Sequence, residues 1–275
     1  MLVTGGTGQL GTAFRKILPD AEYPDRAVLD LSDPAGVGEF LALTSPDGII
    51  NCGAYTAVDA AEEHEALATC VNGASVGVMA RYAEDRGIPF VTFSTDYVFA
   101  GDATEPYLES SSTDPVNAYG RSKLAGEEAA LACPDALVVR TSWVISGTHP
   151  NFVATMLRLG AERSLEVVDD QVGCPTCVDD LAPAALAALQ GGATGLLHLT
   201  NAGETSWFEL ARKALEFAHL DPDRLTPIPT SGYPTPAARP AYSVLGSERR
   251  HRLGVSALPH WEDSLPAIVA TLGES

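Results

Sequence analysis

The chain predicts an α/β fold, a doubly wound parallel sheet (Rossmann type) with a smaller, partly interleaved C-terminal region. Short apolar runs alternate with helically spaced ones as far as Ser142. A glycine-rich turn stands between the first strand-like run and the first helical one. Near residue 150 the alternation stops and helical stretches take over.

Met1–Thr4 reads as a strand and Leu10–Leu18 as a helix, followed by a second extended run at Ala27–Leu31. Gly48–Cys52 is strand-like, and Ala57–Arg86 carries Ala, Val, Met and Tyr at helical spacing. Ile88–Ser94 reads as a strand, Ser122–Leu131 as a helix and Leu137–Ser142 as a strand. Beyond them, helical Phe152–Glu162 and Val178–Leu189 flank a short strand-like stretch, and Ser206–Ala218 is an amphipathic helix. Pro222, Pro227, Pro229, Pro234, Pro236 and Pro240 forbid regular structure over 221–240 and predict an extended surface loop there. We therefore expect a dinucleotide-binding domain over 1–150 and a substrate domain over 151–275, some segments of which return to the first.

The 275 residues carry 36 acidic and 17 basic side chains, a net charge of −19. Such a surface repels nucleic-acid phosphate and anionic lipid, so neither nucleic acid nor membrane is an expected partner. A phosphate-bearing ligand has to be captured by local geometry instead. With no apolar run near the ~18 residues of a membrane span and no leader before the first strand, the chain is expected in the cytoplasm as a monomer or homodimer. Five scattered cysteines, Cys52, Cys70, Cys133, Cys174 and Cys177, fit reduced thiols. Cys174 and Cys177 form a C-x-x-C, yet no second pair of cysteines or histidines completes a zinc site. Glu62, Glu63 and Glu65 read as a solvated helix face, and no metal is expected.

Residues 4–11 read T-G-G-T-G-Q-L-G. Gly5 and Gly8 permit a tight turn and close approach of a pyrophosphate to backbone N–H groups, while Gly11 lets the following helix pack closely. The helix N-terminus adds partial positive charge without a basic side chain. Gly5, Thr7, Gly8, Gln9, Leu10 and Gly11 are thus candidates for holding a dinucleotide. Asp25 and Arg26 follow where a carboxylate would meet the adenosine ribose and an arginine a 2′-phosphate; Asp30 and Leu31 form a second contact near the adenine. One neighbour suits NADH and the other NADPH, and we favour NADPH.

Tyr119 and Lys123 stand at i and i+4 in N-A-Y-G-R-S-K, so both face one way on a helix. A free phenol has a pKa of about 10. A neighbouring ammonium, together with cationic nicotinamide, is expected to lower it toward the working range, and Lys123 is also placed to hold the cofactor ribose. F-S-T-D-Y-V-F puts Thr95 and Asp96 at the carboxyl end of a strand, where open α/β sheets bind ligands, and Thr95 can donate to a substrate carbonyl.

These segments, with N-C-G-A-Y-T-A-V-D-A-A-E at 51–62, R-T-S-W-V at 140–144, N-F-V-A-T-M at 151–156, D-D-Q-V-G-C-P-T at 169–176 and R-P-A-Y-S-V-L at 239–245, span nearly the whole chain. The chain resembles the extended short-chain dehydrogenase/reductases, and most closely the dTDP-4-dehydrorhamnose reductases and related nucleotide-sugar 4-ketoreductases. The resemblance implies a catalytic triad of Thr95, Tyr119 and Lys123, with threonine in the usual place of serine. It also implies that Gly53, Ala54 and Tyr55 line the cofactor, that Trp143 lies against the sugar, and that Asn151, Phe152 and Arg239 grip the nucleotide diphosphate. Asp96 and Tyr97 fall beside the sugar in the same scheme. Tyr242 and Gly246 depart from the asparagine and aspartate that the family often carries there.

The resulting expectation is NAD(P)H-dependent reduction of the 4-keto group of a dTDP-linked 6-deoxyhexose. A nucleotide-sugar epimerase or 4,6-dehydratase and a non-catalytic NADP-binding regulatory subunit are the alternatives. Dehydration calls for Asp-Glu after the threonine, whereas Asp96 is followed by Tyr97.

Overall fold

The computed structural model describes residues 1–273, so positions 274 and 275, the end of the expected second region, lie outside it. Five parallel strands form the central sheet in the order β1 (Leu2–Thr4), β2 (Ile49–Asn51), β3 (Phe90–Thr95), β4 (Ala136–Thr141) and Gly195–His198. All residues of β1–β4 are buried, as a sheet covered on both faces requires. Successive residues still divide between the faces. Val3, Ile50, Val91 and Leu137 pack with Phe14 of α1 (Gln9–Ile17) and Leu181, whereas Leu2, Ile49, Phe90 and Val138 pack with Leu41 and Met79.

All four strands end in polar residues: Thr4, Asn51, Ser94 with Thr95, and Arg140 with Thr141. The Thr4 hydroxyl donates to Asn51 Oδ1 at 2.6 Å, and Asn51 Nδ2 to Thr92 Oγ1 at 2.9 Å. These bonds satisfy polar groups buried at the carboxyl edge and fix the loops that leave it.

The expected strand at Ala27–Leu31 does not form. Asp25 accepts the Val28 N–H on its carboxylate at 3.0 Å and the Leu29 N–H on its carbonyl at 2.9 Å, closing the segment into a turn. On this side of β1 the chain instead makes one parallel bridge, Leu2 to Glu22. With Glu22 on one flank of β1 and β2 on the other, the loops leaving β1 and β2 both line a crevice at the carboxyl edge.

The expectation for 221–240 also needs correction, because Leu225–Ile228 pairs in parallel with Leu165–Val168. Pro227 lies opposite Val167 in this two-stranded sheet, where each strand keeps one free edge and a missing N–H is tolerated. Around that pair pack the helices Phe152–Glu162 and Trp207–Phe217, with Trp261–Gly273 against the latter. The helix Val178–Gln190 lies on α1, and Gly195–His198 pairs with β4. Helices Pro34–Thr44 and Trp261–Gly273 and the strand at 195–198 had no counterpart in the sequence expectations. No helix among the described residues is long and apolar enough to cross a membrane.

Gly11 is fixed by sterics, since a Cβ there would lie 2.2 Å from the Gly5 carbonyl oxygen and 2.7 Å from Gly6 Cα. At Gly8 the nearest atom would be 3.4 Å away. Gly11→Ala is expected to lower the unfolding free energy by about 1–3 kcal/mol, and Gly8→Ala by no more than about 1 kcal/mol; urea unfolding of both variants measures the contrast.

Candidate active site

At the carboxyl edge of the sheet lies a cleft of about 740 Å3 lined by Gly5–Leu10, Asp25, Arg26, Asp30, Leu31, Gly53–Tyr55, Tyr119 and Lys123. One end is the glycine turn. Gly5 holds φ at +63°, and a Cβ on it would lie 2.6 Å from Gly53 N, so the loops after β1 and β2 touch backbone to backbone. Gly8 caps α1 without any side-chain hydrogen bond, which leaves the helix N-terminus open to an anion. Gly11 lies behind the turn and acts on packing alone. The fit to a dinucleotide therefore rests on backbone shape, and a net charge of −19 does not oppose it.

Farther along the cleft the neighbours Asp25 and Arg26 differ. Asp25 spends one carboxylate oxygen on Val28 N. Arg26 has a side chain 80% exposed and stands 3.7 Å from Asp30, a loose pair that leaves its guanidinium available. Asp30 accepts both the N–H and the hydroxyl of Ser32, and these bonds hold its carboxyl below the usual range. The Leu31 side chain packs where a Cβ on Gly53 would fall, 2.5 Å from its Cδ1.

At the other end, Tyr119 lies in the first turn of the Ala118–Leu131 helix, which starts four residues earlier than the sequence pattern indicates. Asn117 Oδ1 accepts the Gly120 N–H at 2.7 Å and Glu62 Oε1 the Ala118 N–H at 2.8 Å, so two side chains cap this start. Glu65 pairs with Arg121 at 2.7 Å, and the acidic stretch is therefore a clamp on this helix as well as a solvated face. One turn on, buried Lys123 donates from Nζ to the Phe93 carbonyl of β3 at 2.6 Å. Burial pulls its ammonium down to about 8 against the opposing charge of Glu127.

Lys123 by itself does not acidify Tyr119 in this arrangement. Burial, then the negative charge of Asp96, push the phenol up to about 12, while a bond with Thr95 pulls the other way. Buried in low dielectric, the phenol keeps its proton, which suits a proton donor in reduction better than a resident base. Tyr97 meets the Tyr119 ring edge-on at 6.0 Å. Thr95, 6% exposed, donates to Asp96 Oδ1 at 3.0 Å and accepts from Tyr97 N at 3.2 Å. Asp96 Oδ2 accepts the Ser243 hydroxyl at 2.5 Å, across 147 residues of sequence. Next to this group, Ser94 and Thr141 line the β3 and β4 ends of the cleft with buried hydroxyls that have no protein partner among the described residues.

The residues that the family resemblance assigns to substrate are less uniformly placed. Trp143, at φ +44°, stacks on Trp207 with centroids 3.5 Å apart and covers Gly173, where a Cβ would lie 2.5 Å from its ring. Asn151 is the N-cap of the Phe152–Glu162 helix, and its amide donates to the carbonyls of Ser146 at 2.7 Å and His149 at 2.9 Å. Phe152 packs on Trp207 at 4.6 Å. Neither side chain lines the main cleft; they hold the junction that Gln9 joins by accepting from Ser146 at 2.8 Å. Arg239 donates to Asp59 at 3.0 Å and to the Ala237 carbonyl at 2.8 Å. Cys174 and Cys177 are buried free thiols, and the C-x-x-C forms no disulfide.

Asn72 was not singled out from the sequence. It sits in a π-helical turn, Cys70–Ala74, and its amide bonds both the N–H and the carbonyl of Tyr55, at 2.8 and 3.0 Å, and Ser122 Oγ at 2.9 Å. It thereby ties the loop after β2 to the helix that carries Tyr119 and Lys123. An asparagine inside an apolar helical run is the signal that could have found it. Asn72→Ala is expected to cost about 2–4 kcal/mol through the buried groups it leaves unpaired, and to weaken dinucleotide binding, as urea unfolding and fluorescence titration would register.

The whole described chain, residues 1–273, matches the family model for the RmlD substrate binding domain. It is 42% identical to a dTDP-4-dehydrorhamnose reductase of Burkholderia thailandensis, over 99% of this chain and 98% of that one. It is 39% identical to a dTDP-4-keto-6-deoxy-D-glucose reductase of Streptomyces niveus, over 96% and 94%. The crystal structure of a dTDP-4-dehydrorhamnose reductase of Bacillus anthracis in complex with NADP superposes with a TM-score of 0.93 at 36% identity, covering 98% of each chain. The fold agrees with these matches, and the chain belongs to the RmlD family, described by its substrate binding domain.

Proposed function

We propose that this protein reduces the 4-keto group of a dTDP-4-keto-6-deoxyhexose, with NADPH preferred over NADH. The observation that carries the reading is the convergence of the Tyr119 phenol, bonded to Thr95, and the buried Lys123 ammonium at one end of a cleft whose other end is a phosphate-cradling turn. Its relatives are dTDP-4-keto sugar reductases. Segment 1–150 serves as the cofactor half, and the part beyond it as the sugar half, apart from 178–198, which lies on the cofactor half.

Bound reduced nicotinamide supplies the hydride. Tyr119 delivers the proton to the carbonyl oxygen as it becomes an alkoxide. Thr95 orients that oxygen, and Lys123, with two of its three N–H groups left over from the Phe93 bond, holds the ribose hydroxyls. The Ser94 and Thr141 hydroxyls, buried without protein partners among the described residues, would offer polar contacts to the bound cofactor. Arg26, exposed and only loosely paired with Asp30, is placed to meet the 2′-phosphate, which is our reason for favouring NADPH. Arg239 reaches the sugar diphosphate by exchanging Asp59, whose 44% exposed side chain makes that pair easy to open. Elimination chemistry lacks its second carboxylate, since Tyr97 occupies that place. Five free thiols fit work in the cytoplasm.

Tyr119→Phe is expected to lower kcat by about 10²–10⁴-fold while leaving NADPH affinity near the parental value. Initial rates with dTDP-4-keto-6-deoxyhexose, run in parallel with NADPH and NADH, test the assignment; parental turnover by this variant would refute it.

A further inference from the structure

Thr95 has one hydroxyl hydrogen and two lone pairs. One lone pair already accepts the Tyr97 N–H at 3.2 Å. When Asp96 is ionised both of its oxygens only accept, so the single Thr95 hydrogen is drawn to Oδ1 at 3.0 Å, in competition with the Tyr119 oxygen, and none is left for a ketone. Ser243 fixes the alternative. Its hydroxyl, 1% exposed, bonds Asp96 Oδ2 at 2.5 Å and donates there. A proton on Asp96 then belongs on Oδ1, where it donates to Thr95 and frees the threonine hydrogen.

We infer that Asp96 is a positioning residue that carries a proton during turnover and aims the Thr95 hydroxyl at the substrate carbonyl oxygen. The inference rests on the reductase reading above. Asp96 keeps its proton throughout; the hydrogen that ends on the product comes from Tyr119, which regains one from water. Charge favours the same state. Tyr119 becomes phenolate as it gives up its proton, and an ionised Asp96 beside it opposes that change. A neutral carboxyl removes the opposition and supplies a donor.

The surroundings permit it. Asp96 is 2% exposed, and burial lifts its carboxyl to about 6 even though Ser243, Thr95 and the N–H groups of Asp96 and Tyr97 favour the charged form. The titratable groups around it are Tyr97 on its own segment, Tyr119 on the facing helix and Cys174 on the adjoining segment. Beyond Tyr97 lie Arg239 and Asp59, which already pair with each other. No ammonium or guanidinium bonds the Asp96 carboxylate among the described residues.

The test is the pH dependence of kcat for the parent, Asp96→Asn, Asp96→Ala and Ser243→Ala, with an infrared difference spectrum of parent against Asp96→Asn. Above the Asp96 pKa the parent is expected to lose about tenfold in kcat per pH unit. In Asp96→Asn the amide N–H donates permanently to Thr95 and the amide oxygen accepts from Ser243. Its kcat is expected about tenfold below the parental plateau, an amide being the weaker donor, but without that alkaline limb. Asp96→Ala, with no donor, falls by about 10²-fold. Ser243→Ala removes a bond that favours the carboxylate and moves the limb to higher pH. The infrared spectrum shows a protonated carboxyl C=O stretch on the acid side of the limb. An Asp96→Asn profile that keeps the parental limb overturns the inference, as does the absence of that band. A parent protein that consumes no NADPH with any dTDP-4-keto-6-deoxyhexose overturns the reductase reading instead, and the band, which needs no turnover, then decides the Asp96 proton by itself.

Discussion

The bond from Lys123 Nζ to the Phe93 carbonyl, 2.6 Å long and buried, ties the Tyr-Lys helix to the strand whose end it must serve. A helix can slide or rotate against a sheet at little cost when only apolar side chains meet. A buried ammonium with one backbone acceptor allows no such slip, because leaving it unpaired costs several kcal/mol. One turn further along, Glu127 meets Arg140 of β4 at 2.6 Å, with side chains 2% and 4% exposed. Removing either partner would strand a buried charge, so the pair fixes register more than it adds net stability. Two polar ties one turn apart thus hold Tyr119 over the carboxyl ends of β3 and β4.

The same edge explains how so acidic a chain can hold a dinucleotide. Capture is assigned to backbone N–H groups at an uncapped helix and to glycines that let two loops touch, and neither requires bulk positive charge. Chemistry is assigned to side chains whose protonation is governed by burial. Lys123 is pulled down, Tyr119 and Asp96 are pushed up, and in each case desolvation is the leading cause. The second half of the chain contributes through single long-range contacts, as where Ser243 reaches Asp96 and Asn151 reaches Gln9 at 3.3 Å.

What the sequence made legible was local. T-G-G-T-G-Q-L-G and Tyr119-x-x-x-Lys123 declare themselves because turn sterics and helical spacing operate within a few residues. The fold class followed from the alternation, the glycine turn and the change of pattern near residue 150. Ala27–Leu31 was misread as a strand because its apolar pattern conceals the capping action of Asp25 two residues earlier. Pro227 misled in the opposite direction, since an edge position hides in sequence the missing N–H that a central strand would expose. Asn117 and Glu62 extended the Tyr119 helix beyond its apolar pattern. The sign of the Tyr119 shift was out of reach, because spacing shows the ammonium one turn on but not the burial and the Asp96 charge that raise the phenol. Asn72 and Ser243 owe their importance to partners 17 to 147 residues away.

The central claim is that hydride and proton meet across one carbonyl at the Tyr119 end of the cleft. NMR of the product formed from a dTDP-4-keto-6-deoxyhexose and NADPH deuterated at the nicotinamide C4 position tests it most directly. The account predicts a single deuterium on carbon 4 of the sugar and one equivalent of NADPH consumed. Product lacking that deuterium, or solvent hydrogen entering carbon 3 or 5 with no cofactor consumed, would contradict it.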